Sequence, residues 1–244
     1  MFKSLAITIS LAVGSFSLVT PIVPHEGAYS VNNLDGLTAE PTDLTTEIAT
    51  QLLDILEKYD LTSAFGVVGV HNHMTLAPGQ VAFQTGNATA THVEIAEYSA
   101  VKSEGVPYNY RITPTGDLLP LDLGSATSDA LAARTALGAA TSSGSFLKEF
   151  AQTAAGHLAG VAYIRPLDRA ALTNGAIVKN HYNAAKTEGV AAPIAAVDAD
   201  PEDAPSFWTR GISNSTAPAD ITILCSICGH GNPWADRRAF AGDL

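Results

Sequence analysis

The sequence predicts an α+β fold: a mainly antiparallel sheet with helices packed on one side and a helical hairpin inserted between strands. Three observations predict it. Ile48, Leu52, Ile55 and Leu56 recur at three- and four-residue spacing, the signature of one strongly amphipathic helix. From Phe65 to Leu123, short apolar runs alternate with Pro- and Gly-containing turns, as in an antiparallel meander. An Ala-rich stretch then interrupts the strands, and the strand-like ADITILCSIC follows near the C-terminus.

In chain order, PTDLTTEIATQLLDILEKYDL opens with Asp43 as the expected N-cap and ends near Tyr59. Phe65 to His73 reads as a strand with two apolar faces, Pro78-Gly79 as a turn and VAFQTG as the next strand. Thr91 to Tyr98 alternates apolar and polar residues and suits a half-buried strand. Tyr108, Tyr110 and Ile112 lead into the turn Pro114-Thr115-Gly116-Asp117, and Leu118 to Leu123 return as a hairpin. SDALAARTALGAAT and SGSFLKEFAQTAAGHLAG have helical spacing, with Ser128 and Ser143 or Ser145 as candidate caps. Gly160 to Leu167 reads as a strand stopped by Pro166, and Ala176 to Lys186 suits a strand or a short helix. Residues 189–206 read as an acidic-ended surface loop.

The formal charge of −11 argues against nucleic acid and anionic membranes, which need a basic footprint. Met1-Phe2-Lys3, the apolar run from Leu5 to Gly14 and Ser15-Phe16-Ser17 have the layout of a secretory signal. The apolar run is shorter than the roughly 20 residues that span a bilayer, so no stable membrane insertion is expected. The expected organisation is a signal peptide over 1–17, an irregular leader over 18–41 and a single α+β domain over 42–244. Asn87-Ala88-Thr89 and Asn214-Ser215-Thr216 are glycosylation acceptor sequons, consistent with secretion.

The chemistry-bearing residues are few. His71 and His73 are two apart in FGVVGVHNH, so on a strand both imidazoles project from one face. That is the geometry a single metal ion asks of two nitrogen ligands. The chain's two cysteines stand in CSICGHGNPW, with His230 two residues beyond Cys228. In a secreted protein Cys225 and Cys228 can form a disulfide. A strand followed by C-x-x-C also suits a redox couple, although Gly229, Gly231 and Pro233 oppose the helix that should follow. The C-x-x-C-G turn also allows thiolates folded around zinc or another transition metal, although the secretory pathway favours the disulfide. His71, His73, Cys225 and Cys228 would then make a Cys₂His₂ site, with His230 as a fifth candidate. His92, Glu94 and Glu97 lie on one predicted strand, and Glu94 or Glu97 is the candidate general base beside such a metal. The plainer reading of these three residues is a solvated strand face. An H-x-H strand is also found in cupin barrels, but the glutamate that follows there within four residues is missing after His73.

The run LLDILEKYDLTSAFGVVGVHNHMTLAPGQV resembles a segment of small uncharacterised fungal proteins. In these an amphipathic helix precedes a strand close to FGV-x-LLH-x-HF-x-L. The resemblance covers about residues 48–84, with a further echo in ITILC, and departs from the group at Met74, where an aromatic usually stands. It implies a shared helix–strand unit and no particular activity.

Two functional expectations follow. One is a secreted protein with a His/Cys metal site, supporting metal-assisted chemistry on a small molecule. The other is a non-enzymatic secreted surface or effector-like protein that binds a small molecule or protein, its Cys225–Cys228 pair oxidised to a disulfide.

Overall fold

The computed structural model describes residues 44–71, 74, 76–183, 185–199 and 204–225. The expected signal and leader, Asp43, His73, Cys228 and His230 lie outside them. Along the chain run α1 (Thr46–Lys58), β1 (Phe65–Gly69), β2 (Gln80–Gly86), β3 (Thr91–Glu97) and α2 (Tyr98–Val101). Next come β4 (Gly105–Pro107), β5 (Asn109–Ile112), β6 (Leu118–Pro120), β7 (Leu123–Ser125), α3 (Ser128–Thr141) and α4 (Ser145–Thr153). The remainder is β8 (Ala159–Tyr163), α5 (Pro166–Thr173), β9 (Ala176–Tyr182), β10 (Glu188–Ala195), β11 (Ala204–Thr209) and β12 (Asp220–Cys225).

Among the described residues, twelve strands form one mixed sheet in the order β4-β7-β2-β3-β10-β9-β12-β11-β1-β8-β5-β6. Its two ends are halves of one hairpin. Gly105 pairs with Ser125 and Pro107 with Leu123. The same register resumes where Tyr110 pairs with Pro120 and Ile112 with Leu118. One flank of this ribbon joins β8 through β5, and the other joins β2 through β7. The sheet therefore curls into a nearly closed barrel.

This overturns the expected α+β layer with helices on one side and an inserted hairpin. Helices α1, α3 and α4 cover only an arc of the barrel's outside. Leu52, Leu53, Leu56, Leu137, Phe146 and Phe150 are fully buried there, in one cluster with Phe65, Val67, Val161 and Trp208. Each such side chain contributes roughly 1.5–3 kcal/mol on burial. The opposite strand face, which an open sheet would show to solvent, turns inward on the rest of the same sheet. Val68, Ala162 and Phe207 pack there on one another and on Ile223.

The local chemistry explains several boundaries. Thr45 caps α1, its hydroxyl accepting from the Ile48 N–H at 3.3 Å. Thr127, one residue before the expected Ser128, does the same for α3. Pro166 starts a helix instead of merely stopping a strand: it sits in the first turn of α5, where a missing N–H costs nothing. The Asp168 carboxylate accepts from the Arg165 N–H at 2.9 Å and completes that start.

Residues 188–195 form a strand, not the loop that alanines and a proline suggested. Pro193 is tolerated because β3 pairs β10 only from Glu188 to Ala191, leaving an edge at 193. Ala176–Tyr182 is settled as a strand by pairing with β10 and β12. In β11, strand alternation turns Phe207 to the barrel interior and its neighbour Trp208 outward, where its indole N–H reaches Thr46 Oγ1 at 3.3 Å.

Candidate functional site

The barrel interior holds a cavity of about 160 Å³. Its walls come from nearly every strand: Val68 of β1, Ala82 and Gln84 of β2, Thr91 and Val93 of β3, Asn180 and Tyr182 of β9, and Phe207 of β11 are among them. Strands β1 and β8 run antiparallel, with Phe65 opposite Tyr163 and Gly69 opposite Ala159. The end of β1 and the end of β8 are therefore opposite ends of this strand pair. Beyond Gly69, His71, Met74 and Leu76 line the cavity; beyond Tyr163, Arg165 does, and α5 packs Leu167 and Ala171 on Val178 and Ala191.

A buried polar chain crosses one wall. Arg165 forms a two-point ion pair with Asp168, Nε to Oδ2 at 3.0 Å and Nη2 to Oδ1 at 2.9 Å. Arg165 Nη1 donates to Gln84 Oε1 at 3.2 Å. This contact sets the orientation of the Gln84 amide, because a guanidinium can only donate. The Gln84 NH₂ is thereby turned to the Asp122 carboxylate, to which it donates. Asn109 adds two donors to Asp122, its backbone N–H at 2.9 Å and its side-chain NH₂.

The chain of contacts has a structural origin. Asn109 and Asp122 sit where the long hairpin's ladder is interrupted between its two halves, and the Asp122 carboxylate takes over the unpaired Asn109 N–H. Burial pushes the Asp122 carboxyl up to about 6, while its Asn109 and Gln84 donors and the nearby Arg165 charge pull the other way. Burial opposes the Arg165 charge, but the adjoining Asp168 outweighs it and holds the guanidinium charged. Burial pushes the Tyr108 phenol up to about 12, and its hydroxyl donates to the Ser125 carbonyl at 2.8 Å.

Of the residues expected to carry chemistry, His71 lines this cavity. Strand alternation would put it on the Phe65 face, toward the helices. The strand stops at Gly69 instead, and His71 Nδ1 turns back to the Gly69 carbonyl at 2.8 Å. Cys225 is the last residue of β12, in register with Asn180. Its partners in the expected Cys₂His₂ set, His73 and Cys228, lie outside the described residues, as does His230. Among the described residues no three His, Cys, Asp or Glu side chains gather as metal ligands would.

Glu94 and Glu97 are exposed, away from the cavity-lining Thr91 and Val93 of the same strand. Glu94 stands opposite Glu188, and Glu97 accepts from Gln80 Nε2 at 3.3 Å. Asn87 is exposed at the β2–β3 turn, its Oδ1 accepting from the Thr89 and Ala90 N–H groups, and Asn214 is exposed before β12.

Asp122, Gln84, Asn109, Arg165 and Asp168 escaped the sequence reading. Two signals were available. Asp122 stands between Leu121 and Leu123 in a strand-like run, where an acid needs a buried partner. Arg165-Pro166-Leu167-Asp168 has proline in a first helical turn and an acid two residues later. Among the described residues no helix is long and apolar enough to cross a membrane. No protein-family model, curated protein or solved structure matches the chain.

Proposed function

We propose that the protein is a binder of small organic molecules, holding its ligand inside the barrel. The supporting observation is the cavity itself: a volume of about 160 Å³ in the barrel interior, where apolar side chains such as Val68, Leu121 and Phe207 stand beside polar groups that include Asp122, Gln84 and Arg165. A cavity of about 150 Å³ lined by apolar side chains is enough to take up benzene. Small-molecule sites typically combine such walls with a few convergent polar groups that fix orientation. In this reading the N-terminal signal exports the protein, so binding takes place outside the cell.

The experiment is a thermal-shift and ligand-observed NMR survey with single-ring compounds on wild type and Ala82→Phe. Ala82 lines the cavity, and a phenyl group there fills it. The expected result is a concentration-dependent rise in Tm for wild type that disappears in the folded variant; saturation at a hundred times Kd corresponds to about 2.7 kcal/mol. Absence of any binder, or binding indifferent to Ala82→Phe, overturns the proposal.

A further inference from the structure

We propose that the ligand is a small organic cation, a protonated amine on a body of about one ring, with its ammonium group on the Asp122 carboxylate. This rests on the barrel interior being the binding site and names what it selects.

The donors around Asp122 have fixed orientations. Arg165 fixes the Gln84 amide so that its NH₂ faces Asp122, and Asn109 presents its backbone N–H and its side-chain NH₂ to the same carboxylate. Three donors converge on Asp122, which is the environment of an anion, since a protonated carboxyl would present a hydrogen of its own.

The charge balance comes next. Arg165 is taken up by Asp168 in a two-point pair with almost no exposure on either side chain, so the pair is close to neutral as a unit. Among the described residues no lysine or arginine forms an ion pair with Asp122. Among the described lining residues, Asp122 is thus the one carboxylate left without a cationic partner. A buried charge without a counter-ion is costly, and a ligand carrying the opposite sign relieves that cost.

Finally there is room at the atom. Oδ1 of Asp122 accepts once and Oδ2 twice, of the roughly four acceptor positions a carboxylate offers. The position left on Oδ1 suits one ammonium N–H. Phe207, Tyr108 and Tyr182 also line the cavity, and aromatic faces attract cations. An anionic ligand meets the reverse conditions, because the only cation of this cluster is already paired.

The test compares benzylamine with benzyl alcohol, the same ring with and without the charge, by calorimetry on the full-length protein at pH 7.5. The expected result is that benzylamine binds about tenfold or more tighter, the scale of one hydrogen bond to a charged group. Asp122→Asn is expected to remove benzylamine's advantage, bringing its affinity to within about threefold of that of benzyl alcohol measured on the same variant.

A pH arm on wild type decides the matter if that variant does not fold. Between pH 7.5 and 5.0 benzylamine stays protonated while Asp122 takes up a proton near 6, so benzylamine weakens about tenfold and benzyl alcohol does not. Among the described residues, the other ionisable groups facing the cavity are Arg165, paired with Asp168, the phenols of Tyr108, Tyr163 and Tyr182, and His71. His71 alone of these ordinarily titrates in this window, so the arm is repeated in His71→Gln, where the tenfold loss should persist. Benzyl alcohol binding as tightly as benzylamine overturns the cation proposal and leaves the cavity as a binding site. Neither compound binding overturns the cation proposal, and the survey of single-ring compounds then decides the cavity reading separately.

Discussion

The Phe207 ring occupies the space that a side chain at Gly66 would need: a Cβ on Gly66 would lie 2.5 Å from its nearest ring carbon and 2.3 Å from the Trp208 carbonyl oxygen. Glycine at that point in β1 is what admits an aromatic ring to the inside of so tightly curled a sheet. The ring can shift a little, but the carbonyl belongs to the backbone of the neighbouring strand. Gly66→Ala is therefore expected to destabilise the protein by about 1–3 kcal/mol or more, the usual cost of overpacking. Urea denaturation should show a lower midpoint with an unchanged slope.

Asp122 imposes a pH dependence of defined sign. Its folded-state carboxyl is raised from 3.8 to about 6, so between these values the folded chain binds more protons than the unfolded one. Its contribution to stability is therefore largest in acid and is lost as the pH rises through about 6. The expected magnitude is on the order of 2–3 kcal/mol. Wild type should gain stability relative to Asp122→Asn when both are moved from pH 7.5 to pH 4.5, measured as urea midpoints. A relative loss on acidification would contradict the assignment.

Gln84 tunes the same group. Its donated hydrogen bond favours the charged carboxylate, so removing it leaves desolvation less opposed. Gln84→Leu should move the Asp122 titration to still higher pH, readable as the carboxyl carbon shift in NMR.

Asp168 has a different role. It is fully buried, neutralises Arg165 at two points and accepts from the Arg165 backbone at the start of α5. Asp168→Asn would leave a buried guanidinium without its counter-charge, a change that typically costs about 3–5 kcal/mol. A loss below about 1 kcal/mol in chemical denaturation would show that Arg165 finds another partner or reaches water.

Much of the local structure was legible in the sequence. The spacing of Ile48, Leu52 and Leu56 is set by the helical period, and the helix over 46–58 follows from it. The hairpin joining Tyr110 to Pro120 was announced by its Pro-Thr-Gly-Asp turn. Alternation shows that a strand has two faces. It does not show what each face meets. Gln84, Thr91, Asn180 and Ser206 have the polarity of a solvent face, yet all line the cavity, because their neighbours are other strands of the same curled sheet.

The site was less legible for the same reason. Asp122 and Gln84 are 38 residues apart, and Arg165 and Gln84 are 81 apart. No local pattern links such positions. The pair that did stand out, His71 and His73, was placed by strand phase, and phase fails where the strand ends at Gly69.

The sequence by itself determined the acidic charge, the amphipathic first helix, the strands β1, β2 and β3 and the Pro-Thr-Gly-Asp turn, since these depend on residue type and short-range period. Only the tertiary structure decided that the sheet closes on itself and that Asp122, Gln84 and Arg165 meet in its wall. Closure is set by pairing between distant strands, and a buried charge becomes chemically significant only when its neighbours are known.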